Sequence, residues 1–161
     1  MPSLASALGR WLALAALVLV LDQASKTWVL ANFRLMDRQA MTSFFNLVLV
    51  FNPGASFSFL ADAGGWQKWF FVVLASAISL WLLAMLRTHA QERLLPAALS
   101  LILGGAIGNV IDRLRFDAVV DFLDFHLAGY HWPAFNVADS AITVGVALML
   151  LHQFLQPKEA P

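Results

Sequence analysis

Cysteine is absent from this chain. That excludes disulfides, thiolate nucleophiles, cysteine-ligated metals and a lipid carried on a cysteine of its own. Charge is scarce as well. Asp, Glu, Lys and Arg make up 12% of the 161 residues, against about 25% in ordinary globular chains. The formal net charge is zero and no Lys/Arg-rich run exists, so the electrostatic footprint of a nucleic-acid binder is missing. His126 and His131 stand five apart rather than four, and no His-Glu-x-x-His pattern occurs, so neither a metal nor another cofactor is expected. Internal repeats and low-complexity tracts are also lacking. What remains is apolar: 60% of the chain is hydrophobic. A bilayer core of roughly 30 Å takes about 20 apolar residues per helical span, which leaves room for four spans and little else.

The spans are read at about residues 11–31, 68–86, 94–113 and 138–155, within a single integral membrane domain covering residues 1–161. The first resembles a signal peptide over Trp11 to Leu21. No small-x-small cleavage site follows, however, and the apolar stretch continues past Asp22 and Lys26, so it is taken as a retained span. Between spans one and two, Phe44 to Phe51 is rich in aromatic and β-branched residues and ends at Asn52-Pro53-Gly54. This reads as a strand entering a turn. The expectation for residues 44–60 is a strand pair, or a strand and one helical turn, on the membrane surface. The fold class is therefore an α-helical membrane protein of four transmembrane helices with a small β-rich region between helices one and two.

Four spans put both termini on one side and the two long connections, 1–2 and 3–4, together on the other. Orientation is poorly marked by charge. The terminal side holds Arg10, Arg87, Arg93 and Lys158, while the opposite side holds Lys26, Arg34, Arg38, Lys68, Arg113 and Arg115. By raw count the positive-inside rule points the wrong way. Several of the latter cations stand beside acids, which discounts that count; the termini are placed in the cytoplasm on this ground and on the family resemblance given below.

Ionisable groups inside a span are costly and usually face protein rather than lipid. Asp22 and Lys26 are four apart on one face of span one, which suits either an ion pair tethering helices or support for a site. Span three closes with Gly104-Gly105-Ala106-Ile107-Gly108-Asn109-Val110-Ile111-Asp112-Arg113. Small residues permit close helix approach in lipid. Arg113 with Asp112 as its partner could simply be an interfacial helix end. Asn109 resists that reading, since a buried amide must find partners for its donors and its acceptor. Asp121 and Asp124 lie in the apolar run Val119 to Phe125, where either could decorate a surface. At the start of span four, Asn136 suits a helix cap, and Asp139 suits the positive end of the helix dipole.

An aspartate from the 3–4 connection and one from span four could instead meet at one interface. Two carboxylates held close cannot both ionise readily and would share one proton. Such a pair supplies a base and an acid together, enough to activate water against a peptide bond without metal, serine or cysteine. Intramembrane acids also serve proton-coupled transporters, but those sites tend to lie at the midplane between repeats, whereas these acids sit at span ends.

The motifs taken together, Asp22 with Lys26, Asn52-Pro53-Gly54-Ala55-Ser56-Phe57, Gly108-Asn109-Val110-Ile111-Asp112-Arg113, Val119-Val120-Asp121-Phe122 and Phe135-Asn136-Val137-Ala138-Asp139-Ser140, resemble the bacterial lipoprotein signal peptidases, or signal peptidase II. The resemblance spans nearly the whole chain and implies an intramembrane aspartic endopeptidase of the bacterial inner membrane. Such an enzyme has its active site on the extracytoplasmic side and cleaves prolipoproteins just before a diacylglyceryl-modified cysteine. It implies that Asp121 and Asp139 are the catalytic pair, with Asp124 outside it. It implies too that Asn52, Gly54, Asn109, Arg113 and Asn136 line and order the site, and that Asp22 and Lys26 support it. Lipid-modified prolipoproteins and membrane lipids are the implied partners, and a monomer is expected. The apolar segment Phe51 to Leu60 is expected to lie over the substrate and limit water.

Overall fold

A computed structural model describes residues 3–54 and 64–155. Four helices are long and apolar enough to cross a membrane: α1 (Leu4–Asn32), α2 (Gln67–His89), α3 (Leu94–Phe116) and α4 (Val137–Leu155). Strands β1 (Arg38–Ala40) and β2 (Phe45–Asn52) precede α2, and β3 (Val119–Leu127) and β4 (Tyr130–His131) lie between α3 and α4.

Helix α3 is the centre of the bundle. Two-thirds of its apolar window is buried, against about a fifth in each of the others. Its small residues are the reason. A Cβ on Gly104 would meet the Ala15 carbonyl oxygen of α1 at 2.5 Å, and one on Gly105 would meet the Ala138 carbonyl oxygen of α4 at 2.5 Å. Without those side chains the backbones approach closely, the main source of helix association where lipid removes the hydrophobic drive. Leu82 and Leu86 of α2 and Ala15 of α1 pack with Leu95, Leu99, Ile102 and Leu103 of α3. The outward faces carry exposed Leu17, Val20, Val73, Leu80 and Leu150, an apolar surface that lipid covers. Exposed Trp28, Trp66 and Trp69 ring the end of the bundle nearest the sheet, where aromatic belts form.

Helix α1 begins about two turns before the expected Trp11, capped by the Ser3 hydroxyl accepting from the Ser6 N–H at 3.2 Å. Helix α3 runs three residues past Arg113 and stops at Asp117, whose left-handed backbone (φ 60°) turns the chain into β3. The strand expected at 44–51 is present, but its partners are not those anticipated. The sheet is four-stranded and antiparallel in the order β1-β2-β3-β4, so half of it comes from the 3–4 connection that reads as a loop. Residues 55–60 of the expected strand pair, and most of the segment expected to cover the substrate, lie outside the described residues.

One irregularity in the sheet matters for function. Leu47 pairs with Leu123 but Val50 pairs with Asp121, so β2 carries one extra residue in between. Side chains alternate with a period of two, and a single inserted residue reverses their phase. Asn46 stands opposite Asp124, while Asn52 stands opposite Val119 and therefore on the side of Asp121. In an unbroken ladder continued from Leu47, Asn52 would stand opposite Ala118, out of phase with Asp121.

Candidate active site

The site is built where the end of α3, the start of α4 and the first residues of β3 converge. Helix α4 has Asn136 as its cap. The Asn136 Oδ1 accepts the Asp139 N–H at 2.9 Å, and Asp22 of α1 accepts the Ala138 N–H at 2.9 Å. Two of the N–H groups that a helix start leaves unpaired are thereby satisfied. The capping reading of Asn136 is correct but incomplete, because its amide Nδ2 also donates to Asp121 Oδ1 at 2.7 Å and to the Val120 carbonyl at 3.2 Å. A single buried side chain thus holds the start of α4 and the carboxylate of β3.

Asp121 is 2% exposed. Its second oxygen accepts from Asn52 Nδ2 at 3.2 Å. Asp139 Oδ1 accepts from Asn109 Nδ2 at 2.8 Å. Both aspartates line one cavity of about 650 Å³, which also takes in Asn52, Gly54, Asn109 and Arg113. Burial, and then the neighbouring charge of Asp139, push the Asp121 carboxyl up to about 7, although its bonds from Asn52 and Asn136 pull the other way. The cavity continues between α2, α3 and α4 along Leu74, Ile78, Ile102 and Val144. It is polar at the sheet end and apolar toward the membrane interior, as a binding site for an apolar ligand with a few fixed polar contacts would be.

Behind the cavity lies a buried ionic cluster. Lys26, 2% exposed, donates to Asp22 Oδ2 and Asp112 Oδ2 at 2.8 Å each, and to Asn109 Oδ1 at 3.0 Å. All three ammonium protons have acceptors. The last contact fixes which way the Asn109 amide faces: its oxygen is taken by Lys26, so its nitrogen is presented to Asp139. The interfacial reading of Asp112 is overturned. Its carboxylate pairs with Lys26 of α1 and accepts the Val120 N–H at 3.1 Å, whereas Arg113 donates to the carbonyls of Gly54 at 2.8 Å and Asn109 at 3.3 Å and lies over the Phe71 ring. Adjacent residues on a helix do not face one another.

All nine residues named from the sequence, Asp22, Lys26, Asn52, Gly54, Asn109, Arg113, Asp121, Asn136 and Asp139, are brought into this region. Sequence reasoning missed Gln23, whose amide reaches Asp112 Oδ1 at 3.0 Å, Asp22 Oδ2 at 3.1 Å and the Gly108 carbonyl at 3.2 Å. A third polar residue beside Asp22 in an apolar span was the available signal. Asp124 does not decorate a surface: it is 4% exposed and accepts from Asn46 at 2.8 Å and from His131 at 2.8 Å.

Comparison with known proteins agrees with this architecture. Residues 14–155 match the family model described as Signal peptidase (SPase) II. The chain belongs to the signal peptidase II family. Lipoprotein signal peptidases of Azoarcus sp. (strain BH72) and Ralstonia nicotianae are 60% and 53% identical to it, over 94% and 90% of this chain and 86% and 84% of theirs. Two solved structures described as bacterial membrane enzymes superpose with TM-scores of 0.82 and 0.80 at 31% and 30% identity. They cover 95% and 92% of this chain and 94% and 95% of their own. The family is one of aspartic proteases, so this is a multi-pass bacterial membrane protease. The transporter reading has no support.

Proposed function

We propose that Asp121 and Asp139 are the catalytic pair with which this chain removes the signal peptide from lipid-modified prolipoproteins. Signal-peptide removal from prolipoproteins follows from family membership. The observation that carries the assignment of the pair is that the buried Asp121 and the half-buried Asp139, 18 positions apart in sequence, line one cavity and are held there by Asn136 and Asn109. Two such groups share one proton. The ionised member takes a proton from water as the water oxygen attacks the scissile carbonyl carbon. The protonated member donates to the developing oxyanion. As the intermediate collapses, the C–N bond breaks and the leaving amine takes the proton that water gave up. Asn52, Asn109 and Asn136 fix the carboxylates, and Arg113 with Gly54 shapes the wall. Asp22 and Lys26 hold the frame.

The substrate's signal segment and diacylglyceryl chains occupy the apolar length of the cavity, which brings the scissile bond to its polar end. Placement of this kind supplies much of a rate enhancement. The sheet end faces the extracytoplasmic side of the inner membrane and the termini face the cytoplasm, with residues 1–161 acting as one domain and as a monomer surrounded by lipid. The test is cleavage of a diacylglyceryl-modified prolipoprotein by the purified protein in detergent. Asp121→Asn and Asp139→Asn are each expected to lose about 10²- to 10⁴-fold in rate, the usual worth of a positioned acid or base. Full activity in either variant would refute the pair.

A further inference from the structure

A second cavity of about 330 Å³ opens beside the first on the sheet side. The two share Asn52, Asp121 and the wall Trp132-Pro133-Ala134, so the second begins at a proposed catalytic carboxylate and leads away from the helices. Its outer part is lined by Arg38, Asp124 and His131. A cleaved prolipoprotein has two halves of opposite character. The signal segment and the lipid are apolar and stay in the membrane, but the polypeptide after the cysteine is polar and must leave it. The first cavity is mostly apolar and runs into the helical bundle. The second is apolar along Val48, Val50 and Phe51, but it adds the charged and hydrogen-bonding side chains of Arg38, Asp124 and His131 beyond the helix ends.

We infer that the second cavity holds the residues immediately following the lipid-modified cysteine, and that Arg38 makes it favour acidic side chains there. The inference rests on the reading of Asp121 and Asp139 as the catalytic pair. Among the described residues, the titratable groups facing this cavity are Arg38 from β1, Asp121 and Asp124 from β3, and His131 from β4, with His126 stacked on His131. Asp124 is buried, with one oxygen on His131 and the other on Asn46, so little of its charge meets an incoming peptide. The Arg38 side chain is 56% exposed; its Nε approaches Asp124 at 3.8 Å and its Nη1 lies 3.4 Å from His131 Nε2. The guanidinium is therefore the charge that a ligand meets. The outward donors of its planar fork suit a carboxylate.

Three synthetic diacylglyceryl-modified substrates test this, identical except that the second and third residues after the cysteine are both Asp, both Ser or both Lys. With wild type, kcat/KM for the Asp substrate is expected to exceed that for the Lys substrate by roughly threefold to tenfold, the scale of one exposed ion pair exchanged for a like-charge contact, with the difference residing mainly in KM. Arg38→Glu is expected to reverse the order and Arg38→Gln to flatten it. The ratio is taken within each variant, so a reduced folded fraction cancels. Equal kcat/KM for the Asp and Lys substrates in wild type, or an acidic preference that Arg38→Glu and Arg38→Gln leave unchanged, would overturn the inference. Failure to cleave any of the three substrates would instead strike at the proposed function.

Discussion

Asp121 and Asp124 lie three residues apart on one strand, and both are almost fully removed from solvent, yet they are driven in opposite directions. The odd spacing along extended chain sends them to different neighbours. Asp121 meets asparagine amides and a second carboxylate, and is raised to about 7 by burial and then by Asp139. Burial raises Asp124 too, but the bonds from Asn46 and His131 and the charges of His131 and Arg38 outweigh it and hold the carboxyl below the usual range. Burial alone does not make a reactive acid. What matters is whether the partners neutralise the charge or leave it to be shared with a like group.

The comparison breaks most simply at its two principals. Asp121→Asn is expected to remove about 10²- to 10⁴-fold of the cleavage rate, whereas Asp124→Asn should retain activity within a few-fold in the same detergent assay. Comparable losses in both would mean that the sheet cluster belongs to the chemistry. Next in size is Lys26→Met, which takes the cation from between Asp22 and Asp112 and leaves two buried carboxylates facing each other. Breaking a buried pair in this way costs about 3–5 kcal/mol, to be read as a lower thermal midpoint in detergent. Adding Asp112→Asn to that variant should recover part of the loss. If the loss is below 1 kcal/mol, water reaches the cluster and its cohesion is not ionic.

How far these features can be read from sequence depends on the range over which each is determined. The spans were legible because hydropathy is a local property, and the strand at 44–51 because aromatic and β-branched residues cluster there. Strand β3 was not, since Asp121, Asp124 and His126 interrupt its apolar pattern and its partner β2 lies some 70 positions earlier. The reading that pairs Asp112 with Arg113 stays open in the sequence because the actual partner, Lys26, belongs to another helix. The role of Asp124 depends on Asn46 and His131, on two further strands. Within the site, the motifs identified the residues through a family resemblance, but the bulge that brings Asn52 into phase with Asp121 leaves no local signature.

Asn52 gives a finer test on the Asp121 side of the comparison. Its hydrogen bond favours the ionised carboxylate and so lowers the Asp121 value. As pH rises past about 7 Asp121 loses its proton, so kcat/KM should fall on the alkaline side. Asn52→Ala removes a bond that stabilises the ionised form, so this limb should move to higher pH by about one unit, the equivalent of about 1.4 kcal/mol. A limb that stays in place, or moves to lower pH, would show that another group controls it.

The smallest effect lies on the Asp124 side and concerns stability rather than rate. Because the folded value of Asp124 is depressed, the stability it contributes is present above the unfolded value of about 3.9 and is lost as pH falls through the folded value. The sheet of the wild type should therefore weaken only under acid, in a window below about pH 4. Asn at position 124 keeps an acceptor for one of the two neighbours but gives up the charge, so Asp124→Asn should cost about 1 kcal/mol at neutral pH. The same variant should melt with less dependence on pH between neutrality and pH 3, because the group that titrates there is gone. Parallel acid melting of the two proteins would mean that Asp124 is not the carboxylate whose protonation loosens the sheet, and the contrast with Asp121 would then rest on the active-site side alone.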